Sequence, residues 1–229
     1  MMTTEKSAGR AIGVLLLGQM VCGYLLNFVL LQPVFRGPEF LTNAATHAQG
    51  LAIAVLVSLV TGMLSIAIAI AAWPVLRQYG HALALWLLAL ALVNFALGAV
   101  EDITVLSIRS VGEAYVAADA ADAGQLQVLG DAMRAVRKWA HYLKLILGGG
   151  MAFVLYAALY RFTLVPRALA GFGIAAVLLQ LFAVTLPLFG HPINFMLLAP
   201  IGLSHLLLAL WLLAKGFAQH QPLASPVRG

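Results

Sequence analysis

The stretch ALAGFGIAAVLLQLFAVTLPLFGHPINFMLLAPIGLSHLLLALWLLA, residues 168–214, contains no Asp, Glu, Lys or Arg in 47 positions. A bilayer core about 30 Å thick is crossed by about 20 helical residues, so the run is too long for one span and suits two. Pro187, Gly190 and Pro192, grouped around His191, supply the break between them. The stretch predicts a tight pair of membrane helices, over about 168–189 and 193–214.

Further uncharged runs lie upstream. Ala11 to Leu31 and Ala48 to Val75 are each long enough to cross, and Ala82 to Val100 follows the short connection Arg77-Gln78-Tyr79-Gly80. Leu145 to Tyr160 has only 16 residues and spans only if its helix begins near His141, which draws Lys144 inside the membrane boundary. The runs are continuous, without the alternation of barrel strands. The expected fold is therefore all-α: six transmembrane helices over about 11–31, 48–75, 82–105, 138–160, 168–189 and 193–214. They form a single domain over 1–217, followed by a short polar tail at 218–229. Between helices three and four, Leu126, Leu129, Met133 and Val136 recur at helical spacing and predict an amphipathic extramembrane segment, a helix that runs on into span four.

Composition excludes other classes. Of 229 residues 63% are hydrophobic and 9% charged, which rules out a soluble domain and a disordered chain. The lone Cys22 excludes a disulfide scaffold. The thirteen Lys and Arg are scattered among apolar runs with no basic stripe, so the net charge of +5 does not indicate nucleic acid. The first run is longer than a signal-peptide core and is expected to be retained. Lys6, Arg10, Arg77, Arg161, Arg167, Lys215 and Arg228 fall on the side of the termini, against six Lys and Arg on the other. By the positive-inside rule both termini are expected in the cytoplasm, in a bacterial inner membrane.

Polar groups inside the spans are the candidates for function. On span two, Ala54, Ser58, Thr61, Ser65, Ala69 and Ala72 form a small-residue face that reads as helix packing. Arg134, Arg137, His141, Lys144, Gly148 and Met151 share one face of span four and run from the surface into the membrane. Asn94, Gly98 and Glu101 form a comparable face on span three with Asp102 beside it, and span six adds Asn194 and His205. Ionisable groups at membrane depth are costly and demand partners. Glu101 and Lys144 are natural ones, either as an interhelical ion pair or as groups of a binding site. Neither His141 nor His205 has a second histidine at i+3 or i+4, so no metal site is expected, and no cofactor is indicated. No nucleophile motif surrounds Ser204-His205.

Two segments resemble a known family. Leu155-Tyr156 and Leu159-Tyr160-Arg161, followed by Leu164-Val165-Pro166-Arg167-Ala168-Leu169 and Gly171, are similar to a bacterial membrane family known only as domain of unknown function four-three-eight-six. So is Pro200 through His205 to Leu210-Trp211-Leu212-Leu213-Ala214-Lys215-Gly216-Phe217. The resemblance extends over Ala11 to Phe217; it implies a six-helix bundle and supplies no activity. It implies an acidic residue ending the third apolar run, where Glu101 stands, and a glutamate five residues after the last-span proline, where this chain has His205.

The resulting expectation is a multi-pass protein with an outward-facing polar chamber formed by spans three, four and six. Asn94, Glu101, Asp102, Arg137, His141, Lys144, Asn194 and His205 would line it and bind a small molecule or an anionic amphipath. An intramembrane enzyme or redox protein using the same residues, and an accessory subunit of a membrane complex, stand as alternatives. The expected partners are the lipid bilayer and that ligand.

Overall fold

The computed structural model describes residues 4–218. Among them the structure is helical with no strands. Helix α1 (Thr4–Tyr24) continues through a π-helical segment (Leu25–Leu31) into α2 (Gln32–Phe35), and α3 (Phe40–Thr46) follows a short turn. The remaining helices are α4 (Ala48–Leu76), α5 (His81–Ala117), α6 (Ala120–Arg161), α7 (Arg167–Thr185) and α8 (Ala199–Lys215). Six helical stretches are long and apolar enough to span a bilayer, so this is a multi-pass membrane protein. Six crossings bring Thr4 and Lys215 to one side; the opposite side is called the far side below.

Each span packs on its sequence neighbours: α1 on α4, α4 on α5, α5 on α6, α6 on α7, and α7 on α8. Helix α8 returns to α1, closing a ring. The hairpin expected over 168–214 is present, and its break has a visible cause. Pro187 opens a 3-10 turn (Leu186–Phe189), and Gly190 ends it at φ 81°, a left-handed conformation that disfavours a side chain. A second 3-10 turn (Phe195–Leu198) leads into α8, where Pro200 lies in the first turn and breaks no helical hydrogen bond.

The far side carries folded structure beyond the apolar runs themselves. The segment after span one is no open loop: α3 folds back onto α5, α2 packs on α3, and Val34, Phe40, Leu41 and Ala44 are buried in one core with Val105 and Ile108. The connection between spans three and four is helical: as expected, a helix, α6, runs on from it into span four, and α5 extends outward to meet it at a turn over Ala118-Asp119. Asp119 caps α6, its carboxylate accepting from the amides of Ala121 at 3.1 Å and Asp122 at 3.2 Å. The buried edge of this extension includes Leu126, Gly130 and Met133, because Leu41 seats against Gly130; Leu129 and Val136, expected on the apolar face, are exposed. The polar tail expected at 218–229 lies outside the described residues except Ala218, whose amide donates to the Leu164 carbonyl at 2.9 Å.

Two apolar cores result. One, toward the termini, contains Ile12, Leu16, Leu76, Tyr156, Leu159 and Leu212; the other, on the far side, contains Leu26, Phe40, Leu51 and Ile108. Between them lies a layer of polar side chains.

Candidate functional site

Helical spacing builds the outer part of this layer. Arg137, His141 and Lys144 lie at i, i+4 and i+7 on α6 and project along one face toward α5. There Glu101 receives all three. Lys144 Nζ lies 2.7 Å from Oε2, His141 Nδ1 lies 3.0 Å from Oε1, and Arg137 Nη2 lies 3.6 Å from Oε1. The Glu101 side chain is only 4% exposed, so a lone carboxylate would be costly here, and the cations offset that cost. The Arg137 guanidinium also covers the Phe35 ring at 3.9 Å. Arg134 donates to the Phe35 carbonyl at 2.9 Å and lies over the Phe40 ring at 4.8 Å, so two arginines fasten the α2–α3 cap to α6.

One residue farther along α5, Asp102 faces the Ser58 hydroxyl on α4, with the Lys144 charge within reach. Asp102 and Lys144 line one end of a cavity of ≈ 170 Å³, walled further by Gln19, Ser58, Ser65, Asn94, Gly148 and Gln180. Gln19 donates to the Ser65 hydroxyl, and Gln180 Nε2 donates to the Leu145 carbonyl at 3.3 Å. Asn94 Oδ1 is buried and has no hydrogen-bond partner among the described residues. A smaller cavity of ≈ 70 Å³ shares Gln19, Ser65, Asn94 and Gly148 as walls and extends to His205. The His205 ring stacks on Tyr156 at 5.8 Å and 13°, while the Tyr156 hydroxyl donates to Ser204 at 3.2 Å.

The structure thus distributes the sequence-derived residues over three places. Glu101, Arg137, His141 and Lys144 meet in one cluster; Asp102 and Asn94 face the central cavity, as Lys144 also does; His205 lies at the far end of the adjoining one. Asn194 joins none of them. The chain is unwound there, and the exposed Asn194 side chain accepts the amide of Met196 at 3.1 Å to cap the second 3-10 turn. The polar space is also not the work of spans three, four and six alone, since all six spans contribute to the two cavities. Sequence reasoning passed over Gln19 and Gln180, single amides in apolar helices, and assigned Ser58 and Ser65 to packing. The available signal was that an amide side chain in a bilayer requires a partner.

Among the described residues no three His, Cys, Asp or Glu side chains gather as metal ligands. The cluster sets Glu101 against Arg137, Lys144 and His141, with Asp102 close to Lys144, which suits charge pairing and hydrogen bonding at one end of a polar cavity.

Comparison with known proteins yields one match. Neither a curated protein nor a solved structure matches the chain. A family model described as Domain of unknown function (DUF4386) matches residues 11–216, nearly the whole chain, and the chain therefore belongs to that family.

Proposed function

We propose that this protein binds a small polar molecule, neutral or zwitterionic, in the cavity at the centre of the helix ring. In this reading it sits in a bacterial inner membrane with both termini in the cytoplasm, and the ligand enters from outside past Glu101. The observation that carries the reading is the unpartnered Asn94 Oδ1 on the wall of a cavity lined by side chains of five spans. A buried acceptor left unpaired costs about 1–3 kcal/mol, which a donor on a ligand would recover. Asp102 and Lys144 offer both signs of charge at one end, and Gln19, Ser65 and Gln180 offer uncharged hydrogen-bonding groups along the walls. The enclosed volume suits a molecule of few heavy atoms rather than a lipid chain.

The test uses Gly148, which walls both cavities beside Asn94. A leucine at this position would grow into the space. Protein purified in mild detergent should release a small polar molecule on denaturation, in proportion to protein, as read by mass spectrometry. Gly148→Leu should release little or none while unfolding at a similar temperature. Equal release from both proteins, or none from the parent, overturns the reading.

A further inference from the structure

A second concavity, of ≈ 440 Å³, opens on the far side of the Glu101 cluster, with Phe35 at its edge and one face of α6 from Asp131 to Tyr142 as its floor. Arg134, Arg137 and Lys138 set three cations there against the single carboxylate of Asp131, which already accepts from Gln127 at 3.3 Å. Internal partners leave much of this charge uncompensated. Arg134 is held by a carbonyl and a ring, which fix its position without neutralising it. Arg137 shares the one charge of Glu101 with Lys144. Lys138 is exposed, its ammonium 5.1 Å from the Trp139 ring, and forms no salt bridge among the described residues.

Depth distinguishes this groove from an ordinary basic surface. It begins level with the Glu101–His141 contact, where the uncharged run of α5 ends, and extends outward to Arg134, about 10 Å farther along α6. That is the layer in which lipid headgroups lie. On the same stretch of α6, Val136, Trp139 and Leu143 are 53%, 39% and 44% exposed, and a tryptophan at this depth matches the aromatic belt of membrane proteins.

We propose that the groove holds the phosphate of one anionic lipid, bound by Arg134 and Lys138, with its acyl chains lying along Trp139 and Leu143. A guanidinium already oriented by Phe35 and Phe40 presents its remaining N–H donors to phosphate oxygens at little further entropic cost. The lipid would join the α2–α3 cap to α6 from outside, where the two arginines join them from within.

The test is a titration of the full chain, stripped of lipid in a neutral detergent, with phosphatidylglycerol or with phosphatidylcholine of the same acyl chains. Bound lipid is counted by native mass spectrometry. One phosphatidylglycerol should bind in clear preference. Each cation removed should weaken it about fivefold, equivalent to about 1 kcal/mol per basic residue at an anionic surface, so Lys138→Gln loses about fivefold and Lys138→Gln with Arg134→Gln roughly 30-fold. Lys138 is exposed, so the single variant separates binding from folding. Lys215→Gln, at the opposite membrane face, and the cavity-filling Gly148→Leu should keep the preference, which separates this proposal from the central cavity's ligand. Equal binding of the two lipids, or an unchanged Lys138→Gln, overturns the proposal. So does displacement of the lipid by excess inorganic phosphate, which would make the groove a site for the free anion.

Discussion

Glu101 meets three basic side chains with one carboxylate, and that imbalance determines the effect of removing it. Glu101→Gln would leave Arg137 and Lys144 repelling each other across a poorly hydrated space, with Asp102 the remaining nearby acid. The expected loss is about 3 kcal/mol, at the low end for breaking a buried pair because the partners keep 15–30% of their side chains exposed. Lys144→Met should cost less, since Glu101 keeps Arg137 and His141. For an isolated pair, Glu101→Gln with Lys144→Met would restore the parent's stability. Here recovery should be partial, because Arg137 still lacks its carboxylate. Thermal unfolding of the four proteins in one detergent checks this, and complete recovery would show that Arg137 contributes nothing at 3.6 Å.

At the scale of elements, the α2–α3 cap rests on one close approach. A Cβ added at Gly112 of α5 would stand 2.5 Å from the Leu41 carbonyl oxygen, and backbone on both sides prevents a small adjustment. Gly112→Ala should therefore lift α3 from α5 and destabilise by about 1–3 kcal/mol, the range for overpacking a filled interface. Gly150, inside α6, has nothing within 4 Å of the same added atom. Gly150→Ala should leave stability unchanged or raise it by up to about 1 kcal/mol through helix propensity. Hydrogen exchange at Phe40–Thr46 separates the two: faster in Gly112→Ala, unchanged in Gly150→Ala. A cap that exchanges normally in Gly112→Ala would refute the tight contact.

For the whole molecule, the ring of six spans fixes which ends share a side. Reporters fused after Gly80 and Gly229 should label on one side and a reporter after Ala121 on the other; in the orientation proposed above, the side of the termini is the cytoplasmic one. Opposite labelling at Gly80 and Gly229 would refute an even number of crossings. The spans were legible in the sequence because uncharged length is a direct physical requirement of the bilayer. The meeting of Glu101 with Lys144 was legible for a similar reason: both are charges at the ends of apolar runs, and one helical face already joined Lys144 to Arg137 and His141. Closure of the ring was not legible, since each span is apolar around most of its circumference and its neighbours cannot be read from its own pattern. Gln19 and Gln180 gain meaning only once α1 and α7 face the same cavity. The α2–α3 cap was hidden by Pro33, Gly37 and Pro38, which read as loop although they sit at the edges of two short helices.

The π-helical segment Leu25–Leu31 makes span one unusual in its tolerance of length. A π-turn amounts to one extra residue held within an α-helix. Deleting a residue inside Leu25–Leu31 would relax the segment to ordinary α-helix, shortening it while keeping Ile12 and Phe35 in their present angular phase. The same deletion elsewhere in the span would rotate one end against the other by about 100° and carry Phe35 away from the Arg137 guanidinium, now 3.9 Å from its ring. Seven positions can therefore lose a residue and keep the cap in place, whereas a loss in the regular helix on their N-terminal side would turn it away.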